Sequence, residues 1–104
     1  MIDLSKIISF EWDKGNIDKS YQKHGITPNE TEQVFTDEGV QIEKDIKHQE
    51  KETRYIAIGK NEVARILFVV FTLRKHKIRV ISARIANQKE RRLYEKRVKK
   101  NPQV

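Results

Sequence analysis

At 104 residues the chain has room for one domain, and its lack of cysteine excludes disulfides, thiolate metal sites and a cysteine nucleophile. Its net charge of +7 is unevenly spread: residues 74–104 hold twelve Lys and Arg against two acids, whereas residues 1–73 carry ten against thirteen. Such a basic block concentrates polyanions by releasing their counterions, so nucleic acid is the expected partner class, with a merely solubilising tail as the competing reading.

Taken in chain order, residues 7–12 read as a first strand with Phe10 and Trp12 on one face. Asp13 is placed to cap a helix by accepting from the backbone N–H of residue 15 or 16. Ile17, Tyr21 and His24 then share a helical face, and Gly25 stands where a left-handed C-terminal cap belongs. A second short helix opens at once, with Thr27 as N-cap, Pro28 at its first position and Glu30 completing a capping box. Both helices are too short to persist without packing on a sheet.

Residues 40–44 alternate apolar and polar, as a half-exposed strand does, and the almost wholly polar residues 45–53 read as a surface loop. Residues 54–60 resume a strand, and residues 59–62 turn the chain into a central hairpin. Its first arm, residues 65–73, is apolar at odd and even positions alike, the pattern of a strand covered on both faces. Four polar residues lead to a second β-branched run, residues 78–84. Without Gly or Asn in that turn, a tight two-residue type I′ turn is not expected. Asn87 and Glu90, at capping-box spacing, open a last helix in which Glu90, Leu93, Tyr94, Arg97 and Val98 share a face. The order is β-α-α-β-β-β-β-α over a single domain spanning residues 1–104: an α+β fold with short helices against a mostly antiparallel sheet.

The longest apolar run, residues 66–73, falls far short of the roughly 18 residues that span a bilayer. Residues 1–6 lack the basic-then-apolar form of a secretory signal. A soluble cytoplasmic protein with no membrane partner is therefore expected.

Several short motifs stand in the order of one known family. They are Phe10-Glu11-Trp12-Asp13, Lys23-His24-Gly25-Ile26, Val34-Phe35-Thr36-Asp37, Arg54-Tyr55-Ile56-Ala57-Ile58-Gly59 and Arg79-Val80-Ile81-Ser82-Ala83-Arg84, with Glu90 and Tyr94 behind them. Over about residues 10–98 the chain resembles the BrnT-type toxins of type II toxin–antitoxin pairs. It departs from the family's usual pattern with Asn16 in place of a Lys and Ser20 in place of an Asn. The resemblance implies a compact RelE-like fold and a ribonuclease that inhibits translation. It also implies neutralisation by a ribbon-helix-helix antitoxin of the BrnA type, with promoter DNA bound only by the toxin–antitoxin complex.

Cleaving RNA without a metal needs a base for the 2′-hydroxyl, cations for the charge gathering on phosphorus, and an acid for the departing 5′-oxygen. Arg54, Arg79 and Arg84, on or beside strands, are the candidate catalytic cations, because a planar guanidinium grips two phosphate oxygens. A carboxylate partner such as Glu11 or Glu43 is the competing role for Arg79. Arg79 and Arg84 differ in parity, so a regular strand would send them to opposite faces unless a bulge intervenes.

His48, in the polar loop before Arg54, is the candidate proton-transfer group; His76, in the hairpin turn, is expected to be merely exposed. Lys23, His24, Arg74 and Lys75 are the candidate substrate-binding residues. No histidine pair has metal-ligand spacing and no glycine-rich phosphate loop is present, so no cofactor is expected. A non-catalytic basic module that holds nucleic acid, and an interaction protein docking an acidic partner, are the alternatives to a ribonuclease.

Overall fold

The computed structural model describes residues 9–17, 23–48 and 52–100. Five strands form one sheet: β1 (Ser9–Phe10), β2 (Gln41–Lys44), β3 (Tyr55–Lys60), β4 (Ile66–Arg74) and β5 (Lys77–Ile85). Their spatial order is β1-β5-β4-β3-β2, with β1 parallel to β5 and every other pairing antiparallel. Two helices, α1 (Pro28–Val34) and α2 (Gln88–Lys100), complete the described elements, with a 3₁₀ turn at Ile46–His48 inside the expected loop.

The strand apolar on both sides is β4, and each face of it supports a core. On one side Leu67, Val69 and Phe71 pack with Ile26, Val34, Ala57, Ile78, Val80 and Ala83 under α1. There Phe35 stands edge-on between Phe10 and Phe71, with ring centroids 5.4 and 5.1 Å away. On the other side Ile66 packs with Ile58, Ala86 and Tyr94 of α2, and Phe68 and Val98 lean against them. Gly59 is required where α1 crosses β3, because a Cβ there would lie 2.9 Å from Cγ1 and 3.0 Å from the carbonyl oxygen of Val34.

Both N-caps form as expected, but only the second closes a full capping box, since Glu30 Oε1 meets Thr27 through its hydroxyl at 3.4 Å and not through its backbone N–H. Thr27 Oγ1 accepts from the Glu30 N–H at 3.1 Å, and Asn87 and Glu90 each accept the other's backbone N–H at 2.9 Å. Most of the first expected helix lies outside the described residues. Lys23 and His24 are helical, and Gly25 takes the left-handed φ of 71° expected of a C-terminal cap.

The hairpin departs from expectation. Its turn is only Lys75-His76, both left-handed with φ of 49° and 67°, which is the signature of the type I′ turn that the residues argued against. Pairing extends to Arg74 opposite Lys77, so the register of two nine-residue strands dictates the turn. Each non-glycine residue held there costs about 1 kcal/mol, which the continuous ladder outweighs.

Val70 pairs with Ser82 and Phe71 with Val80, leaving Ile81 as a bulge in β5. The bulge resets the alternation. Arg79 lies opposite Thr72 and Arg84 opposite Phe68, positions four apart on β4 and therefore on one face. Arg79 and Arg84 thus share a face despite their parity. Asn16, 6% exposed, secures the bulge by donating through Nδ2 to the Val80 carbonyl at 2.9 Å and the Glu11 carbonyl at 3.0 Å.

Candidate active site

At the hairpin end of the α2-side face, cations and acids from four segments meet. β5 supplies Arg79, only 16% exposed, and the turn after β1 folds across it. Arg79 Nη1 and Nη2 donate to the two carboxylate oxygens of Asp13 at 2.8 and 3.0 Å, and Nη1 also reaches Glu11 Oε1 at 2.9 Å. The turn is held by the Gly15 N–H, which donates to Asp13 Oδ1 at 2.8 Å, and by Asn16 Oδ1, which accepts from the Asp13 N–H at 2.8 Å. Asp13 therefore does accept from residue 15 as the sequence implies, while its carboxylate also serves Arg79.

The neighbouring strand brings Arg74 to the same place. Its Nε and Nη2 donate to Glu52 at 3.0 and 2.6 Å, and its Nη1 lies 3.5 Å from Glu11 Oε1. Glu52 belongs to the loop entering β3. Hydrogen bonds from Arg74 hold its carboxyl below the usual range, and the charges of Arg79 and Arg54 push in the same direction. Arg54, one residue before the Tyr55–Phe71 pair, comes level with Thr72, the partner of Arg79 on β4, and it makes no side-chain hydrogen bond or ion pair among the described residues. Asp13 is likewise held below its usual range, first by Arg79 and then by the Gly15 N–H.

Glu11, Glu52, Arg74, Lys75 and Lys77 line an open cleft at this end. Arg54, Arg74, Lys75, Lys77 and Arg79 outnumber Glu11, Asp13 and Glu52 by two charges. The cleft can therefore take a phosphate, with carboxylates standing beside it. A smaller hollow under α2, among Gln41, Ile56, Leu93 and Tyr94, has room for about 20 Å³, enough for one water and too little for a nucleotide.

Arg84 stands apart from this cluster. It lies five residues farther along β5, roughly 15 Å by strand rise. Its Nη1 and Nη2 donate to Glu90 Oε1 and Oε2 at 2.8 and 2.9 Å, and its guanidinium sits 4.1 Å above the Phe68 ring. Burial raises the Glu90 carboxyl, but the bonds from Arg84 and the Asn87 N–H outweigh it, and the net shift is downward. Tyr94, one helical turn on, donates to Asp37 Oδ2 at 2.6 Å and packs in the α2-side core.

The other sequence candidates divide. Lys75 belongs to the cleft, and His76, beside it in the turn, is exposed as expected. His48 ends the 3₁₀ turn, and its side chain lies outside the described residues. Lys23 and His24 are exposed, and no hydrogen bond or ion pair among the described residues joins them to the cluster.

Sequence reasoning gave Asp13 only a capping role, named Glu11 only as a bland partner for Arg79, and missed Glu52 and Asn16. The available signal was the pair of acids at alternate positions in Phe10-Glu11-Trp12-Asp13, opposite a block of cations. Glu52 sits in an almost wholly polar loop, where nothing distinguishes it.

Comparison with known proteins adds two findings. The model of a family described as the ribonuclease toxin BrnT of type II toxin–antitoxin systems matches residues 12–90. The crystal structure of the Brucella abortus ribonuclease toxin BrnT is similar in fold, with a TM-score of 0.58 at 23% identity, over 78% of this chain and 99% of that one. No curated protein matches the chain.

Proposed function

The chain belongs to the BrnT family, the ribonuclease toxins of type II toxin–antitoxin systems, and from that premise we propose that it cuts RNA at the hairpin end of its sheet, without a metal. The observation that carries this reading is the gathering of Arg74, Lys75 and Lys77 on one cleft, with Arg79 held at its side between Glu11 and Asp13. Arg54, with no carboxylate partner among the described residues, and Arg74, on the cleft, receive the scissile phosphate. Arg79, held between Glu11 and Asp13, anchors the acids beside them. Guanidinium groups supply the positive charge that a metal would otherwise bring to the developing phosphorane.

Lys75 extends the phosphate track at the turn. Arg84 fastens α2 to the sheet, and Lys23 and His24 lie outside the site. In this reading the fold is RelE-like, and the cleavage halts translation in the cytoplasm. A BrnA-like ribbon-helix-helix antitoxin, through an acidic or amphipathic segment, covers the cationic cleft and the exposed Leu93 of α2. Only that complex binds promoter DNA.

The test is cleavage of a defined RNA by purified protein in excess EDTA, with the ends analysed. The expected result is cleavage leaving 2′,3′-cyclic phosphate. Activity lost on chelation and restored by Mg²⁺ or Mn²⁺ would refute metal independence. RNA that is bound yet never cut would favour a non-catalytic binding module. A gel-shift series with antitoxin complex should show RNA binding by toxin alone and promoter binding by complex alone.

A further inference from the structure

Three carboxylates face the arginines at the hairpin end, and their oxygens are not equally engaged. Both oxygens of Asp13 are taken by Arg79, with the Gly15 N–H adding to one of them. Both oxygens of Glu52 are taken by Arg74. Glu11 differs. Its Oε1 is shared by Arg79 at 2.9 Å and Arg74 at 3.5 Å, while its Oε2 has no hydrogen-bond partner among the described residues.

The Glu11 side chain is 31% exposed and lines the cleft with Arg74 and Lys77. Its backbone is fixed on both sides: its N–H donates to the Ile78 carbonyl at 2.8 Å, and its carbonyl accepts from Asn16 Nδ2 at 3.0 Å. One oxygen clamped by two cations and the other without a partner among the described residues, on a side chain that lines the cleft, is the arrangement a proton acceptor needs. The clamp sets the orientation and the open lone pairs receive the proton.

We propose that Glu11 is the general base of the RNA-cleaving reaction, its Oε2 taking the proton of the 2′-hydroxyl adjacent to a phosphate held by Arg54 and Arg74. The assignment rests on the ribonuclease reading of this cleft. In the step, the 2′-hydroxyl proton passes to Glu11 Oε2 as the 2′-oxygen bonds to phosphorus. The bond from phosphorus to the 5′-oxygen breaks, and that oxygen takes a proton from water. The products are a 2′,3′-cyclic phosphate and a 5′-hydroxyl, and Glu11 then returns its proton to solvent.

Among the described residues, the charged groups facing Glu11 are Arg79 and Lys77 of β5, Arg74 of β4, Lys75 of the turn, Glu52 of the loop and Asp13 of its own segment. Among these groups four cations stand against two acids.

The experiment is single-turnover cleavage of a short RNA by wild type, Glu11→Gln, Glu11→Asp and Arg74→Ala across pH, with affinity measured on a 2′-O-methyl analogue that cannot be cut. Gln keeps an oxygen for the two arginines. Glu11→Gln is therefore expected to bind the analogue within about 3-fold of wild type, cut at least about 100-fold more slowly, and lose the acid limb of the rate profile. Glu11→Asp, which keeps a carboxylate, should retain the limb and exceed Gln in rate. A Glu11→Gln rate within about 5-fold of wild type, a retained acid limb, or equal rates for Asp and Gln would overturn the assignment. Full activity in Arg74→Ala as well would place the reaction elsewhere and sink the ribonuclease reading of the cleft. Activity in Glu11→Gln alone would remove only the base.

Discussion

Arg79 and Arg84 stand on one face of one strand, each gripped by carboxylate, and their surroundings divide their work. Around Arg84 the account is closed: Glu90 engages it with both oxygens, Phe68 covers its plane, and the same Glu90 caps the helix that buries Tyr94. Around Arg79 it is open, with Arg54, Arg74, Lys75 and Lys77 beside three acids and a cleft between them. A cation whose neighbours are all satisfied holds structure. A surplus of cations against fewer acids holds an anion.

The sharpest way to break this division is to remove one cation from each end. Arg74→Ala or Arg54→Ala is expected to slow RNA cleavage about 100-fold, near 3 kcal/mol of transition-state stabilisation, with a melting temperature close to wild type. Arg84→Ala should do the reverse, lowering stability by about 1–2 kcal/mol while each folded molecule cuts at the wild-type rate. Thermal melts and rates corrected for the folded fraction check both. Equal loss of activity at the two ends would dissolve the contrast.

pH probes the closed end. The Glu90 carboxyl is lowered in the folded state, so its contribution is present above the ordinary glutamate value of 4.5 and is lost as pH falls through the folded value. Arg84→Ala should therefore move acid unfolding to higher pH. Tyr94 works at the other limit. Burial first, and then the bond to Asp37, raise its phenol above 10.0, so its contribution is full below that pH and lost as pH rises through the folded value. Tyr94→Phe should cost about 1 kcal/mol at neutral pH and flatten that alkaline loss, as urea titrations across pH would register.

The smallest expected effect is at the hairpin tip. Lys75→Asn with His76→Gly relieves two left-handed residues and should raise stability by about 1 kcal/mol, read from the urea midpoint. Because Lys75 also lines the cleft, a modest loss of RNA affinity should accompany the gain.

What could be read from the chain follows how local its causes are. The doubly buried β4, the Thr27 and Asn87 N-caps and the Gly25 terminus are written in adjacent residues and appear as expected. The type I′ turn was misjudged because ladder register overruled the preferences of Lys75 and His76. Parity correctly raised the question of a bulge, but its position depends on how β4 and β5 pair, and on Asn16 reaching the Val80 carbonyl 64 residues away. The carboxylates of the site were the least legible. Glu11 and Asp13 meet Arg79 across 68 and 66 residues, a proximity that no periodicity encodes.

The central claim is that RNA occupies the open end of this face. The most direct measurement is NMR of ¹⁵N-labelled protein, following arginine Nε–H and backbone signals while a 2′-O-methyl RNA is added. Binding at the open end predicts progressive shifts at Arg54, Arg74, Lys75, Lys77 and the 11–16 turn, with the Arg84 and Glu90 signals unmoved. Shifts centred on Arg84 and α2, with Arg54 and Arg74 unchanged, would contradict it.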